Sequence, residues 1–358
     1  MRFSRGFAWR VVALALWLGA CRATPPASPS TLVYVQEGQV AVWPPDQSVP
    51  PAVGADRVAS PDGTRWVAGS FYALTLHDAE TGETWVVAAG EPGEEIIPES
   101  VAWSPEGRRI AFLQFAVSAY RVQIVTLEGL ALRSVELPAG RAGGQLAWVD
   151  EARLVFSDLD RLFVYDLSSG ETLELGEGRQ PVPSPDGSRV AFERVSAVAR
   201  SGCATAVGVG MVGADGSDWR VVLDEADRFA SVVGWSEGGA GLIVLSRPID
   251  CNAEQPPLPD RLLRLDVDDG AVTTLSARDG GPWPLGPLAS DPSSDQMVFV
   301  EPGCNPTDET VTSQQLVVSS IGKPDQREVV AEARAAGCAF LALRWLPPPI
   351  ARPNVNLQ

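Results

Sequence analysis

The chain has 358 residues, of which 45% are hydrophobic and only 7% aromatic, and it carries a formal charge of -17 with a single histidine. So acidic a surface repels phosphate backbones, which argues against nucleic acid as a partner, whereas cations and basic partners are drawn to it. The length would allow two domains, but regular self-similarity over most of the chain points to one domain with a shared core.

Reading from the N-terminus, Arg2, Arg5 and Arg10 precede an apolar run, Val11 to Leu18, that is too short for a stable membrane-spanning helix. The run ends in Leu18-Gly19-Ala20-Cys21. This resembles the lipobox of bacterial lipoproteins, and the resemblance implies a signal peptide over residues 1–20, cleavage before Cys21 and acylation of that residue. Several acyl chains anchor a protein where one does not. The expected address is outside the cell, lipid-anchored to the outer face of the plasma membrane or to the outer membrane. Arg22, in place of an aspartate, is by the same resemblance compatible with outer-membrane sorting. Residues 21–30, with Pro25, Pro26 and Pro29, read as a semi-extended tether.

Beyond the tether one phrase recurs: a short apolar strand, a tight polar turn and a second apolar strand. The best copies are Val58-Ala59-Ser60-Pro61-Asp62-Gly63-Thr64-Arg65-Trp66-Val67-Ala68, Val101-Ala102-Trp103-Ser104-Pro105-Glu106-Gly107-Arg108-Arg109-Ile110-Ala111-Phe112 and Val182-Pro183-Ser184-Pro185-Asp186-Gly187-Ser188-Arg189-Val190-Ala191-Phe192. Proline presets φ for the turn, while Asp-Gly supplies a side-chain acceptor and a permissive backbone. Each copy therefore predicts an antiparallel strand pair. The residues before the turns, Ala59, Trp103, Trp148, Pro183, Trp235, Ala289 and Trp345, are spaced 35 to 56 residues apart. Such steps suit four-stranded propeller blades with growing loops. No segment after residue 30 keeps a 3.6-residue period, so little helix is expected.

The units resemble the TolB-like, WD40-like propeller repeat, whose consensus is Trp-Ser-Pro-Asp-Gly followed by an Ile-Ala-Phe-type strand. The likeness spans about residues 31–346, is strong at Ser60, Ser104 and Ser184, and fades at Trp148 and Ala289. TolB has a further N-terminal domain, for which residues 21–31 offer no room. The expectation is all-β: a single propeller over residues 31–346 with seven four-stranded blades, six being the alternative, and a Pro-rich tail over 347–358. Trp345 ends a strand, Phe340 to Leu346, with little chain beyond it. Leu32 to Val35, Gln39 to Trp43 and Val49 to Val53 would supply the missing outer strands, so that the two ends of the chain share one blade. Such a clasp removes an exposed sheet edge.

Cys203, Cys251 and Cys304 fall in loops between second and third strands, and Cys338 precedes the closing strand. All four should gather on the face opposite the Ser-Pro-Asp-Gly turns. In an exported chain they favour two disulfides. Four cysteines allow three pairings, and Cys203 with Cys251 and Cys304 with Cys338 are nearest in blade order. Each bridge would contribute roughly 4 kcal/mol in the chain-entropy model. No Cys-x-x-Cys exists, so a metal site is not expected.

Gly234-Trp235-Ser236-Glu237-Gly238 matches a hydrolase nucleophile elbow, which needs a strand-to-helix turn and a later histidine. His77 is the only histidine and comes earlier, so the pentapeptide reads as another propeller turn. Asp266-Val267-Asp268-Asp269-Gly270 and Asp158-Leu159-Asp160 lack calcium-loop spacing and read as hairpin turns. The expected function is binding without catalysis, by a monomer whose partner is an envelope protein, peptide or glycan and which takes no cofactor. The alternative is a propeller enzyme using carboxylates along the axial channel.

Overall fold

The computed structural model describes residues 30–36, 39–45, 57–116, 119–137, 142–195, 206–224, 228–248, 261–277, 288–292, 294–301, 311–321, 323–336 and 340–346. The expected signal segment, tether and tail and all five cysteines lie outside these residues, as does the strand expected at Val49 to Val53.

Six antiparallel four-stranded sheets follow one another along the chain, over residues 57–89, 94–136, 142–177, 179–224, 228–277 and 288–336, here blades I to VI. In each the strands pair in chain order. Blade VII is assembled from both ends: Thr31–Gln36 lies between Gln39–Trp43 and Phe340–Leu346, antiparallel to each. Leu32 pairs with Trp345 and Gln36 with Phe340. The fold is thus a β-propeller clasped by its terminal strands. Blade VII has three strands among the described residues where four were expected. Among the described residues helix is confined to two single 3₁₀ turns, Glu128–Leu130 and Glu237–Gly239.

The sequence period explains why blades stack. In the second strand of blade II, Arg109–Ala116, Ile110 and Phe112 pack against blade I, while Ala111 and Leu113 pack against blade III. Successive side chains point to opposite faces, and here both faces are covered, so the run Ile110 to Leu113 is apolar without alternation. Phe112 is 1% exposed, and burial on that scale contributes about 2–3 kcal/mol. Equivalent clusters fill every seam from I/II to VI/VII, the last formed by Leu32 and Tyr34 against Val298, Val300 and Leu316.

The serine of the repeat closes the turns of blades I, II and IV. Ser60 N–H donates to Arg65 O at 2.8 Å, and Ser60 Oγ accepts from Arg65 N–H at 3.0 Å while lying 2.7 Å from Asp62 Oδ1. Ser184 repeats this with Arg189 and Asp186. Ser104 accepts from Arg108 and Arg109 N–H at 3.2 and 3.0 Å, with Glu106 in the aspartate's place. Gly63, Gly107 and Gly187 have φ of 69°, 68° and 67°, the left-handed backbone that glycine adopts at least cost. Pro61, Pro105 and Pro185 precede them in these turns.

One anchor needs correction, and one turn departs from the repeat while keeping its anchor. In blade VI Asp291 N–H bonds Gln296 O, so Asp291 holds the serine's place and Ser290, one residue after Ala289, holds the anchor's. In blade III the bond runs from Val149 N–H to Arg153 O, a turn one residue shorter that has lost both serine and proline.

Candidate binding site on the turn face

Two rows of hydrogen bonds tie the blades together beneath the turns. The first is made by the anchor tryptophans, whose indole N–H groups reach back to the preceding blade. Trp103 donates to Val58 O at 2.8 Å, Trp148 to Ala102 O at 3.1 Å and Trp235 to Val182 O at 2.9 Å. All three are buried, and a buried indole N–H needs such an acceptor. In blade IV the anchor is Pro183, which has no donor.

The second row reaches forward and was missed in the sequence. Arg65, Arg109 and Arg153 open the second strands of blades I to III. They donate to Gly107 O at 2.9 Å, Glu151 O at 2.6 Å and Gly187 O at 3.1 Å in the next blade's turn. The guanidinium of Arg65 also sits over the Trp103 ring, 5.6 Å from its centroid. The signal was available: arginine stands five residues after Ser60, Ser104 and Ser184.

Where blades III, IV and V meet on this face there is a cavity of about 550 Å³. Arg153, Arg189, Arg220, Asp215, Asp218 and Asp268 line it, and Met211, 2% exposed, contributes apolar floor. Arg220 donates to Val267 O at 2.6 Å, and Arg153 is held by Asp150 at 2.7 Å. Asp215 accepts from the hydroxyl and N–H of Ser217 at 2.6 and 3.0 Å, and these bonds hold its carboxyl below the usual range. Beside the cavity, Asp186 is lowered to about 2 by Ser184, with the Ser188 N–H and hydroxyl adding to the effect. Asp62 is lowered as well: burial pushes it up, but the bonds from Ser60 and Thr64 outweigh that.

The other sequence candidates fall into place as follows. Cys21, Cys203, Cys251, Cys304 and Cys338 lie outside the described residues. Ser236 is fully buried at the end of an inner strand, and a 3₁₀ turn returns the chain into the strand Gly241–Pro248. It is a propeller turn and not a strand-to-helix elbow. His77 stacks on Trp66 with centroids 4.9 Å apart, and its ring nitrogens lie 3.0 Å from the hydroxyls of Thr75 and Thr84. Asp266 accepts from Asp268 and Asp269 N–H at 3.0 and 3.3 Å, as hairpin aspartates do.

No protein-family model matches the sequence, and no curated protein matches it. Solved structures do. An oligogalacturonate lyase from Vibrio parahaemolyticus is 15% identical, with 86% of each chain covered and a TM-score of 0.53. An oligogalacturonate lyase in complex with manganese is 18% identical over 77% of this chain and 76% of that one, with a TM-score of 0.54. The β-propeller domain of the Trilobed protease from Pyrococcus furiosus is 12% identical over 75% and 81%, with a TM-score of 0.50. Likeness at this level shows the propeller fold.

Proposed function

We propose that the chain is an exported, lipid-anchored propeller of the TolB-like repeat type that binds an envelope protein, peptide or glycan without transforming it. The observation that carries this is the turn-face cavity, in whose charged lining Arg153, Arg220 and Asp215 are each held by a neighbouring residue. Asp215, held ionised by Ser217, is poorly suited to give up a proton near neutral pH. Fixed donors and acceptors around an apolar floor serve recognition. The anchor at Cys21 rests on the lipobox, and the pairings Cys203 with Cys251 and Cys304 with Cys338 rest on blade order.

Proximity labelling from the chain on intact cells tests the binding role: one or a few envelope components should be enriched, and enrichment no greater than that of an unrelated surface lipoprotein contradicts it. Cys21→Ser should move the protein from the membrane fraction to the soluble one. Titration after denaturation should find no free thiols among the four other cysteines, and four would exclude both bridges.

One observation favours the enzymatic alternative. Glu193, on a second strand and 9% exposed, has its carboxyl pushed up by burial despite a bond from Ser231, as suits a general acid. If Glu193→Gln abolishes a lyase or glycosidase activity of the purified chain while leaving its melting curve unchanged, the enzymatic reading displaces the binding one.

A further inference from the structure

We infer that Arg189 is the anchor of a carboxylate-binding site in the turn-face cavity, and that its ligand is a peptide bearing a carboxylate; this rests on the binding role proposed above. Arg189 is the fourth member of the forward-reaching arginine row. It opens the second strand of blade IV and pairs with Gly213, as Arg65 pairs with Asp78, Arg109 with Thr126 and Arg153 with Asp166. The first three end on a carbonyl of the next turn.

That turn is rebuilt in blade V. Here Glu237–Gly239 forms a 3₁₀ turn, Glu237 O accepts from Ala240 N–H at 3.4 Å, and the Glu237 carboxylate is taken by Arg264 at 2.5 Å. Among the described residues the guanidinium of Arg189 makes one ion pair, with Asp268 at 3.7 Å, whose side chain is 83% exposed, and its charge also helps to lower Asp186 without a hydrogen bond to it. At 3.7 Å this is an ion pair without a hydrogen bond, and with so exposed a partner it contributes little. Arg189 itself is only 31% exposed, so it is partly removed from water without an acceptor in place.

A guanidinium so placed presents a planar fork of donors that matches a carboxylate. The surroundings select among anions. Asp215 and Asp218 line the same cavity and would repel a dianion such as phosphate more strongly than a singly charged carboxylate. The same acids and the hydroxyl of Ser217, with Met211 on the floor, offer the acceptors and apolar surface that a peptide backbone and small side chains use.

Three probes titrated into the intact chain test this by calorimetry or NMR: acetyl-Ala-Ala-Ala with a free C-terminus, the same peptide as its amide, and acetyl-Ala-Asp-Ala amide. The free acid or the aspartyl peptide, according to whether the ligand's carboxylate is terminal or on a side chain, should bind at least tenfold more tightly than the neutral amide. Inorganic phosphate should bind more weakly than that peptide. Arg189→Gln should abolish the difference and Arg189→Lys recover part of it, while Asp268→Asn, which frees the fork, should tighten binding. The tightening by Asp268→Asn keeps the test valid even if Arg189→Gln fails to fold. Equal binding of acid and amide, or unchanged affinity in a folded Arg189→Gln, overturns the inference. If no probe binds but an envelope partner is still enriched on cells, the carboxylate site fails and the binding role stands.

Discussion

Replacing Trp235 by phenylalanine probes the backward-reaching row of seam bonds at its most buried tryptophan, which is 3% exposed. The change removes the donor to Val182 O at 2.9 Å and leaves that carbonyl without its partner inside the seam, at a cost of about 1–3 kcal/mol. Trp235 also packs among Ala191, Met211, Leu242 and Leu263, and losing part of its ring adds about 1 kcal/mol of unfilled space. Trp235→Phe should therefore cost about 2–4 kcal/mol and Trp235→Ala at least about 4. Guanidinium unfolding followed by far-UV circular dichroism reads both as a lowered midpoint. Trp103→Phe and Trp148→Phe, which remove bonds of the same kind, should fall within about 1 kcal/mol of Trp235→Phe. A Trp235→Phe protein indistinguishable from the parent would refute the idea that the indole bonds hold the seams.

Three further outcomes follow from the turns. A Cβ on Gly187 would lie 2.7 Å from Val149 O of the neighbouring blade, whereas on Gly107 the nearest atoms, in Arg65 and Pro61, are 3.5 Å away. The two share one backbone conformation, so thermal unfolding should show Gly187→Ala costing at least about 1 kcal/mol more than Gly107→Ala. Arg109→Met removes bonds to both the carbonyl and the carboxylate of Glu151 and should cost about 1–3 kcal/mol in a denaturant titration. Asp186, held at about 2, supports the fold at pH values above its ordinary pKa and loses that support as pH falls from about 4 to 2. The group is largely exposed, and solvent screening limits its share to about 1 kcal/mol. Asp186→Asn should lower stability at pH 7 by about that amount and flatten the acid limb of a stability-versus-pH curve; an unchanged limb contradicts the assignment.

Much of the fold was legible because its signals are local. Proline and Asp-Gly fix each reversal through bonds spanning five residues, as from Ser60 to Arg65, and the apolar strands are buried on both faces. The clasp was legible by counting strands, since Phe340–Leu346 had no other strands left to pair with. Where the turn chemistry had changed, reading failed by one residue, at Ala289, because the aspartate at 291 does the work of the missing serine.

The site was less legible, for a physical reason. Its cavity is lined by an arginine of the repeat, Arg189, that ends on no backbone carbonyl among the described residues, and the turn of blade V facing it is a 3₁₀ turn. One sequence shows that arginine recurs but not whose oxygen it finds. The loops bearing Cys203, Cys251 and Cys304, expected on the opposite face, lie outside the described residues.

The account depends most on the pairing of Thr31–Gln36 with Phe340–Leu346. Native-state hydrogen exchange resolved to these segments tests it directly. Amides of both strands should be protected and should open together, with a free energy close to that of the inner strands of blades II to V. Exchange of either segment at the rate of unstructured peptide, while Arg109–Ala116 stays protected, would contradict the clasp and the closed ring with it.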